Sequence, residues 1–191
     1  MGYSGKLLSF DLNAQTVKTE TIPTEIIRRF MGGQGPAAYF WYRELEPDTD
    51  PLGPDNILAI MNGPLTGAST SNCVNFTVAS KSPATGTWND SHCNGFFGPD
   101  LRFAGFLGIL VKGAVDEPVY LHVEDGKAKI HSASKLWGMD TFRTMWSLKE
   151  RHTRETVWRG YTKDGIVPES LKKELGLKDT RFCYCFPEAI L

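Results

Sequence analysis

Three short glycine-containing segments are the part of the chain best suited to bind a ligand through its backbone. They are Gly63–Gly67, Lys81–Gly86 and Gly95–Gly98, and small polar residues fill the loops around them. Glycine lets a backbone approach a ligand closely, and successive N–H groups in such bends form concave binding sites for anions. Phosphate or pyrophosphate is therefore the ligand class that these segments indicate. The same segments also fit ordinary turns between strands, an alternative that spacing alone leaves open.

The side chains offer little catalytic or metal-binding chemistry in a recognisable arrangement. The four cysteines include no Cys-x-x-Cys pair, and Cys183-x-Cys185 by itself is a poor signature for zinc or an iron–sulfur cluster. We expect free thiols or ligands rather than disulfides. His92 is the histidine best placed for proton transfer, with a structural role as the alternative. His122 and His131 fall in strand segments and are expected to be structural.

Composition and charge are those of an ordinary globular chain. Of its 191 residues, 41% are hydrophobic and 23% are charged, and the net charge is −1. Such a balance argues against a nucleic-acid or anionic-membrane partner. There is no run of about 18 apolar residues, so no membrane span is predicted. The first residues lack the apolar core of a signal peptide, so we expect a cytoplasmic location.

Periodicity and turn residues predict an α+β fold with mostly antiparallel, twisted sheets and short helices. An Asp125-Gly126 pair predicts a hairpin turn, and His92, Cys93 and Asn94 are expected in a loop. Near residue 150 the sequence becomes charged and loses a clear apolar face. This change predicts a domain at 1–150 and a tail at 151–191 with a helix around Leu171 and Leu175. Predicted strands are 6–12, 17–22, 56–61, 75–80, 106–112, 119–123 and 128–131, and the other helices are 24–31, 36–46, 99–104 and 140–149.

The glycine segments and their surroundings resemble the N-terminal domain of the aldehyde ferredoxin oxidoreductase family, the tungstopterin enzymes. The resemblance follows the family's order from residue 3 to about residue 149, and it includes Gly32-Gly33-Gln34-Gly35 and Gly95-Phe96-Phe97-Gly98. The matching segments are 5–12, 32–39, 51–56, 63–67, 81–86, 95–106, 118–120 and 133–138.

The resemblance implies a base of β-sheet on which a tungsten bis-pterin (molybdopterin) cofactor sits, with loop amides near Gly67, Gly86, Gly95 and Gly98 together binding the pterin or its phosphate. It also implies oxidation of aldehydes or related substrates, with ferredoxin as the electron acceptor. Carried onto matching positions, it gives the cofactor-binding residues Gly67, Asn75, His92, Cys93, Asn94 and Gly95. Four of these positions, at two places, depart from the family. Asn75 stands where an arginine is usual, and His92-Cys93-Asn94 stands where well-known members have Asn-Ser-Gly.

Beyond residue 149 the family's arginine- and glycine-rich pterin loop and its Cys-x-x-Cys-x-x-x-Cys cluster motif have no counterpart in this sequence. Residues 159–177 instead resemble the family's far C-terminus. One hypothesis is therefore an oxidoreductase component, completed by a second catalytic chain or a homo-oligomeric partner. That partner would supply any 4Fe–4S cluster. The alternative is a non-catalytic, shortened family member that acts as an assembly or interaction module.

Overall fold

The computed structural model describes residues 5–152, and these fall into two units. The first unit runs to Trp137, and the second begins at Gly138. The helix predicted around Leu171 and Leu175, and the Cys183-x-Cys185 pair, lie outside the described residues. The domain boundary that the sequence predicts near residue 150 stays a prediction.

Eight strands and four helices are formed within the described residues. Among them, none of the helices combines the length and the hydropathy that a membrane-spanning segment needs. The strands are β1 Lys6–Asp11, β2 Thr16–Thr21, β3 Ile57–Asn62, β4 Phe76–Lys81, β5 Trp88–Cys93, β6 Gly108–Lys112, β7 Val119–Glu124 and β8 Lys127–Ser132, and the helices are α1 Thr24–Phe30, α2 Gln34–Glu44, α3 Phe97–Phe103 and α4 Thr141–His152.

Six strands form one mixed sheet in the order β2-β1-β6-β3-β4-β5, and β7 and β8 form a separate hairpin. Neighbouring strands are antiparallel except for the parallel pair β1 and β6. The predicted α+β class with mostly antiparallel sheets is therefore confirmed. Asp125 and Gly126 both have positive φ, 44° and 78°, which suits the tight hairpin turn that their sequence predicts.

The core lies between one face of the large sheet and the helices α1 and α2. Ala37 and Phe40 of α2 pack with Leu7, Met61 and Leu110 from three different strands, and all five side chains are buried. Each large apolar side chain buried in this way stabilises the fold by about 1.5–3 kcal/mol. The layer fixes where α2 begins, and so it fixes the Gly32–Gly35 turn relative to the ends of the strands.

Strand β5 corrects the expectation that His92 and Cys93 lie in a loop. They are the last two residues of this strand, and only Asn94 follows it as loop. The strand pairs along its whole length with β4, while its other side is the open edge of the sheet. An edge strand is held by backbone hydrogen bonds on one side and tolerates polar side chains, so it lacks the apolar pattern that identifies central strands.

Candidate functional site

Three of the glycine-containing bends meet at one end of the sheet. There β3 ends at Asn62, which pairs with Phe76 at the start of β4, and Phe76 pairs with Cys93 at the finish of β5. We call this end of the sheet the Asn62 end. The 63–75 loop leaves from it, the 94–96 bend lies beside it, and the turn before α2 is tied to it, because the Gly33 N–H donates to the Asn62 carbonyl oxygen at 2.9 Å.

The segment that contains Gly86 lies elsewhere. It forms the hairpin turn between Lys81 at the end of β4 and Trp88 at the start of β5. Six strand residues at about 3.3 Å each separate this turn from the Asn62 end, a distance of roughly 20 Å. The expectation that the Gly86 amide joins those near Gly67, Gly95 and Gly98 is therefore wrong, because the two ends of the paired strands β4 and β5 are too far apart for one ligand site.

A buried amide side chain joins β3 to α3 at the Asn62 end. The Asn62 side chain is 1% exposed, and its Nδ2 donates to the Gly98 carbonyl oxygen at 2.8 Å. Its Oδ1 is also buried and accepts no hydrogen bond from the described residues. A Cβ on Gly98 would lie 2.8 Å from Thr66 Cγ2 and 3.0 Å from Asn62 Oδ1. Only glycine fits there, so the backbone of α3 can approach β3 closely.

The Gly63–Gly67 bend is held rigidly by two side chains. Thr66 Oγ1 accepts a hydrogen bond from the Gly63 N–H at 3.0 Å and donates to the Asn75 carbonyl oxygen at 2.6 Å. From α3, Arg102 donates through Nη1 to the carbonyl oxygens of Pro64 and Thr66, at 3.0 and 2.6 Å. A guanidinium that binds two carbonyls in this way preorganises the bend.

The backbone amides of the bends are not equally available to a ligand. The Gly67 N–H donates to the Cys73 carbonyl oxygen at 2.7 Å, and the Gly63 N–H is used by Thr66. Within residues 5–152 the Gly95 amide has no acceptor, and a Cβ at Gly95 would meet nothing within 4 Å. The Gly95 backbone, with φ 131°, therefore faces open space. Of the three bends, this one best suits backbone recognition of a ligand.

His92 is oriented through both ring nitrogens. Its Nδ1 lies 3.3 Å from Thr77 Oγ1, and its Nε2 lies 3.4 Å from Asp90 Oδ2. The imidazole side chain is 56% exposed, so it is positioned from one side and accessible from the other. The structure thus gives His92 defined partners, and Asn75 and Asn94 are exposed beside the same end of the sheet.

Asp90 connects this histidine to the first residue of α2. Its Oδ2 accepts a hydrogen bond from Gln34 Nε2 at 2.5 Å, and its Oδ1 accepts one from Trp88 Nε1 at 2.8 Å. These two bonds, and then the nearby His92, lower the pKa of the Asp90 carboxyl group. Sequence reasoning missed Gln34, Asp90 and Thr77. The usable signal is the period of two along β5, which places residues 88, 90 and 92 on one face.

We expect the stabilising effect of Asp90 to depend on pH. Because its pKa is lowered in the folded state, the carboxylate stabilises the fold above the unfolded-state pKa of about 4, and this stabilisation is lost as the pH falls. The difference in unfolding free energy between the wild type and Asp90→Asn should therefore shrink on going from pH 6 to pH 3. Urea unfolding at several pH values measures it, and a difference that grows on acidification would contradict the network.

The comparisons with known proteins agree on one family. The sequence model of the family described as aldehyde ferredoxin oxidoreductase, N-terminal domain, matches residues 7–159. The tungsten-containing aldehyde ferredoxin oxidoreductase of Pyrococcus abyssi is 40% identical over 149 residues, which are 78% of this chain and 24% of that protein. The WOR-like subunit of an aliphatic sulfonate oxidoreductase from Pyrococcus furiosus is 35% identical over 156 residues, 78% of this chain and 24% of that one.

A solved structure shows the same fold. It is the active site complex BamBC of benzoyl coenzyme A reductase, in complex with 1,5-dienoyl-CoA, and the TM-score is 0.75 at 28% identity. The match covers 77% of this chain and 22% of that chain. The chain thus spans about a quarter of the length of the relatives that it matches.

Proposed function

We propose that this chain, which belongs to the aldehyde ferredoxin oxidoreductase family, is the tungstopterin-binding base domain of an oxidoreductase of that type. The domain acts with further catalytic domains, either on another chain or on a second copy. Aldehyde or related oxo groups are the proposed substrates, and ferredoxin is the proposed electron acceptor. The observation that carries the proposal is the meeting of three glycine-containing bends at the Asn62 end, beside exposed polar side chains.

The residues at the Asn62 end fit an anionic, flat organic group. Gly95 presents an open backbone, and its amide has no acceptor among the described residues. Asn75, His92 and Asn94 are exposed there and offer polar side chains for hydrogen bonds. Bound tungsten would supply the redox chemistry.

The chain's own residues would bind and orient the cofactor. The Gly95 N–H and the Asn94 side chain donate to phosphate or ring heteroatoms, and His92, oriented by Thr77 and Asp90, contacts the bound group. Asn75 provides hydrogen bonds but no charge. We therefore expect weaker phosphate binding here than an arginine at that position would give, because a guanidinium pairs with phosphate through two charged donors.

A second candidate function is an assembly or interaction module without bound cofactor. Two large apolar side chains near the Asn62 end are exposed, Leu65 by 63% and Phe103 by 56%. Apolar surface of this kind often marks a protein interface. In this case the same end of the sheet binds another protein rather than a pterin.

Metal and pterin content distinguishes the two functions. The chain is produced in cells supplied with tungstate and purified without oxygen. Tungsten is then counted by mass spectrometry, and pterin is counted by fluorescence after oxidation. We expect near-stoichiometric amounts of both in the wild type and about a tenfold loss or more in Asn94→Leu, which removes a donor at the site.

Asn89→Leu is the matched control, because Asn89 is also exposed but lies near the other end of β5, opposite Ser80. It should retain the wild-type content. A folded wild-type chain free of tungsten and pterin would contradict the cofactor-binding role, and self-association of that metal-free chain would support the interaction module.

A further inference from the structure

Two histidines face each other across the separate β7–β8 hairpin. His122 in β7 pairs with Lys129, and His131 in β8 pairs with Tyr120. Paired residues of antiparallel strands project on the same side of the sheet, and so do residues two apart on one strand. His122, His131 and Tyr120 therefore share one face, with the two imidazoles as diagonal neighbours.

The geometry of the two rings is that of a potential chelate. Their centroids are 5.9 Å apart, and each ring offers a nitrogen, with the two nitrogens no more than 4.8 Å apart. Tyr120 stacks on His131 at 5.2 Å and 17°, which limits rotation of that ring. Both histidines are half-buried. The two ligands are thus held on neighbouring strands of a short hairpin, where little rearrangement is needed to bring both nitrogens to one ion.

We propose that His122 and His131 form a binding site for a divalent transition-metal ion, separate from the Asn62 end. Neutral imidazole nitrogen suits Cu²⁺, Zn²⁺ and Ni²⁺, whereas Mg²⁺ and Ca²⁺ prefer oxygen ligands. The two nitrogens link β7 to β8 through the ion, and water or other ligands complete its coordination. For a given nitrogen site, affinity rises from Ni²⁺ to Cu²⁺ and falls again at Zn²⁺, so Cu²⁺ is the most sensitive probe.

The test is titration of the full chain with CuCl₂, ZnCl₂ and MgCl₂, followed by calorimetry and by the electron paramagnetic resonance spectrum of Cu²⁺. We expect one Cu²⁺ with nitrogen ligands, weaker Zn²⁺ binding and no Mg²⁺ binding. His122→Phe and His131→Phe keep an aromatic ring but remove the ligand nitrogen. Each should weaken Cu²⁺ binding by about tenfold or more, while the ion-free melting temperature stays close to that of the wild type.

His92→Phe is the matched control, because it removes an imidazole from β5 rather than from the hairpin. It should leave the affinity at the hairpin unchanged. Equal Cu²⁺ affinity in the wild type and in both hairpin variants would overturn the proposal, as would the absence of any Cu²⁺ bound through nitrogen. Since the readout is ion affinity, the result is independent of whether the Asn62 end binds a pterin.

Discussion

Gly35→Ala should destabilise the first unit by about 3 kcal/mol or more, because it forces a side chain into backbone at the junction of α1 and α2. A Cβ at Gly35 would lie 2.1 Å from the carbonyl oxygen of Phe30 and 3.0 Å from its carbonyl carbon. Phe30 is the last residue of α1, and Gly35 is the second residue of α2. Backbone atoms cannot rotate away as a flexible side chain can, so the two helices must separate.

Urea unfolding followed by circular dichroism measures this loss. The matched control is Gly63→Ala, whose Cβ would make only an ordinary contact at 3.4 Å with Thr66 Oγ1. We expect the control to change the unfolding free energy by no more than about 0.5 kcal/mol. If Gly35→Ala unfolded at the same midpoint urea concentration as the wild type, α1 and α2 would not pack as described.

The same substitution should also disturb the candidate site. The turn between α1 and α2 provides the Gly33 N–H that binds the Asn62 carbonyl, and the first residue of α2 provides the Gln34 side chain that binds Asp90. Moving α2 away from α1 shifts both donors. The tungsten and pterin content of the folded Gly35→Ala variant should therefore be lower than that of the wild type, even though Gly35 itself offers no side chain to a ligand.

Local sequence signals predicted the elements that depend on local chemistry. Asp125-Gly126 gives a hairpin because both residues tolerate positive φ. The helix α2 has Pro36 in its first turn, where its missing N–H costs nothing. The order of the six strands could not be predicted in this way. It depends on pairings such as β1 with β6, about 100 residues apart, which leave no local pattern in either segment.

The candidate site was predicted in part, for the same physical reason. Glycines indicate bends but not which bends converge, so Gly86 was grouped with residues that lie at the other end of β5. Thr77 and Gln34 were missed because both are distant in sequence from β5. Thr77 meets His92 through sheet pairing, and Gln34 meets Asp90 from the start of α2. Asn62 ends an apolar strand and looks like an ordinary boundary residue until its burial is known.

The second large effect is expected at Asn62. Asn62→Asp keeps the shape of the side chain but replaces the Nδ2 donor, 2.8 Å from the Gly98 carbonyl oxygen, with a second carboxylate oxygen. The other oxygen remains where no described residue donates to it. A buried charge without a partner is strongly destabilising, so we expect a loss of about 3 kcal/mol or more at pH 7.

Two further variants separate charge from the lost hydrogen bond. Asn62→Leu removes the hydrogen bond to the Gly98 carbonyl but introduces no charge, so about 1–3 kcal/mol should be lost. Asn89→Asp makes the isosteric change at an exposed position of β5 and should cost no more than about 0.5 kcal/mol. If Asn62→Asp were as stable as Asn89→Asp, the Asn62 side chain would have to be accessible to water. In that case the close packing of α3 on β3 would not explain why the 94–96 bend lies at the Asn62 end.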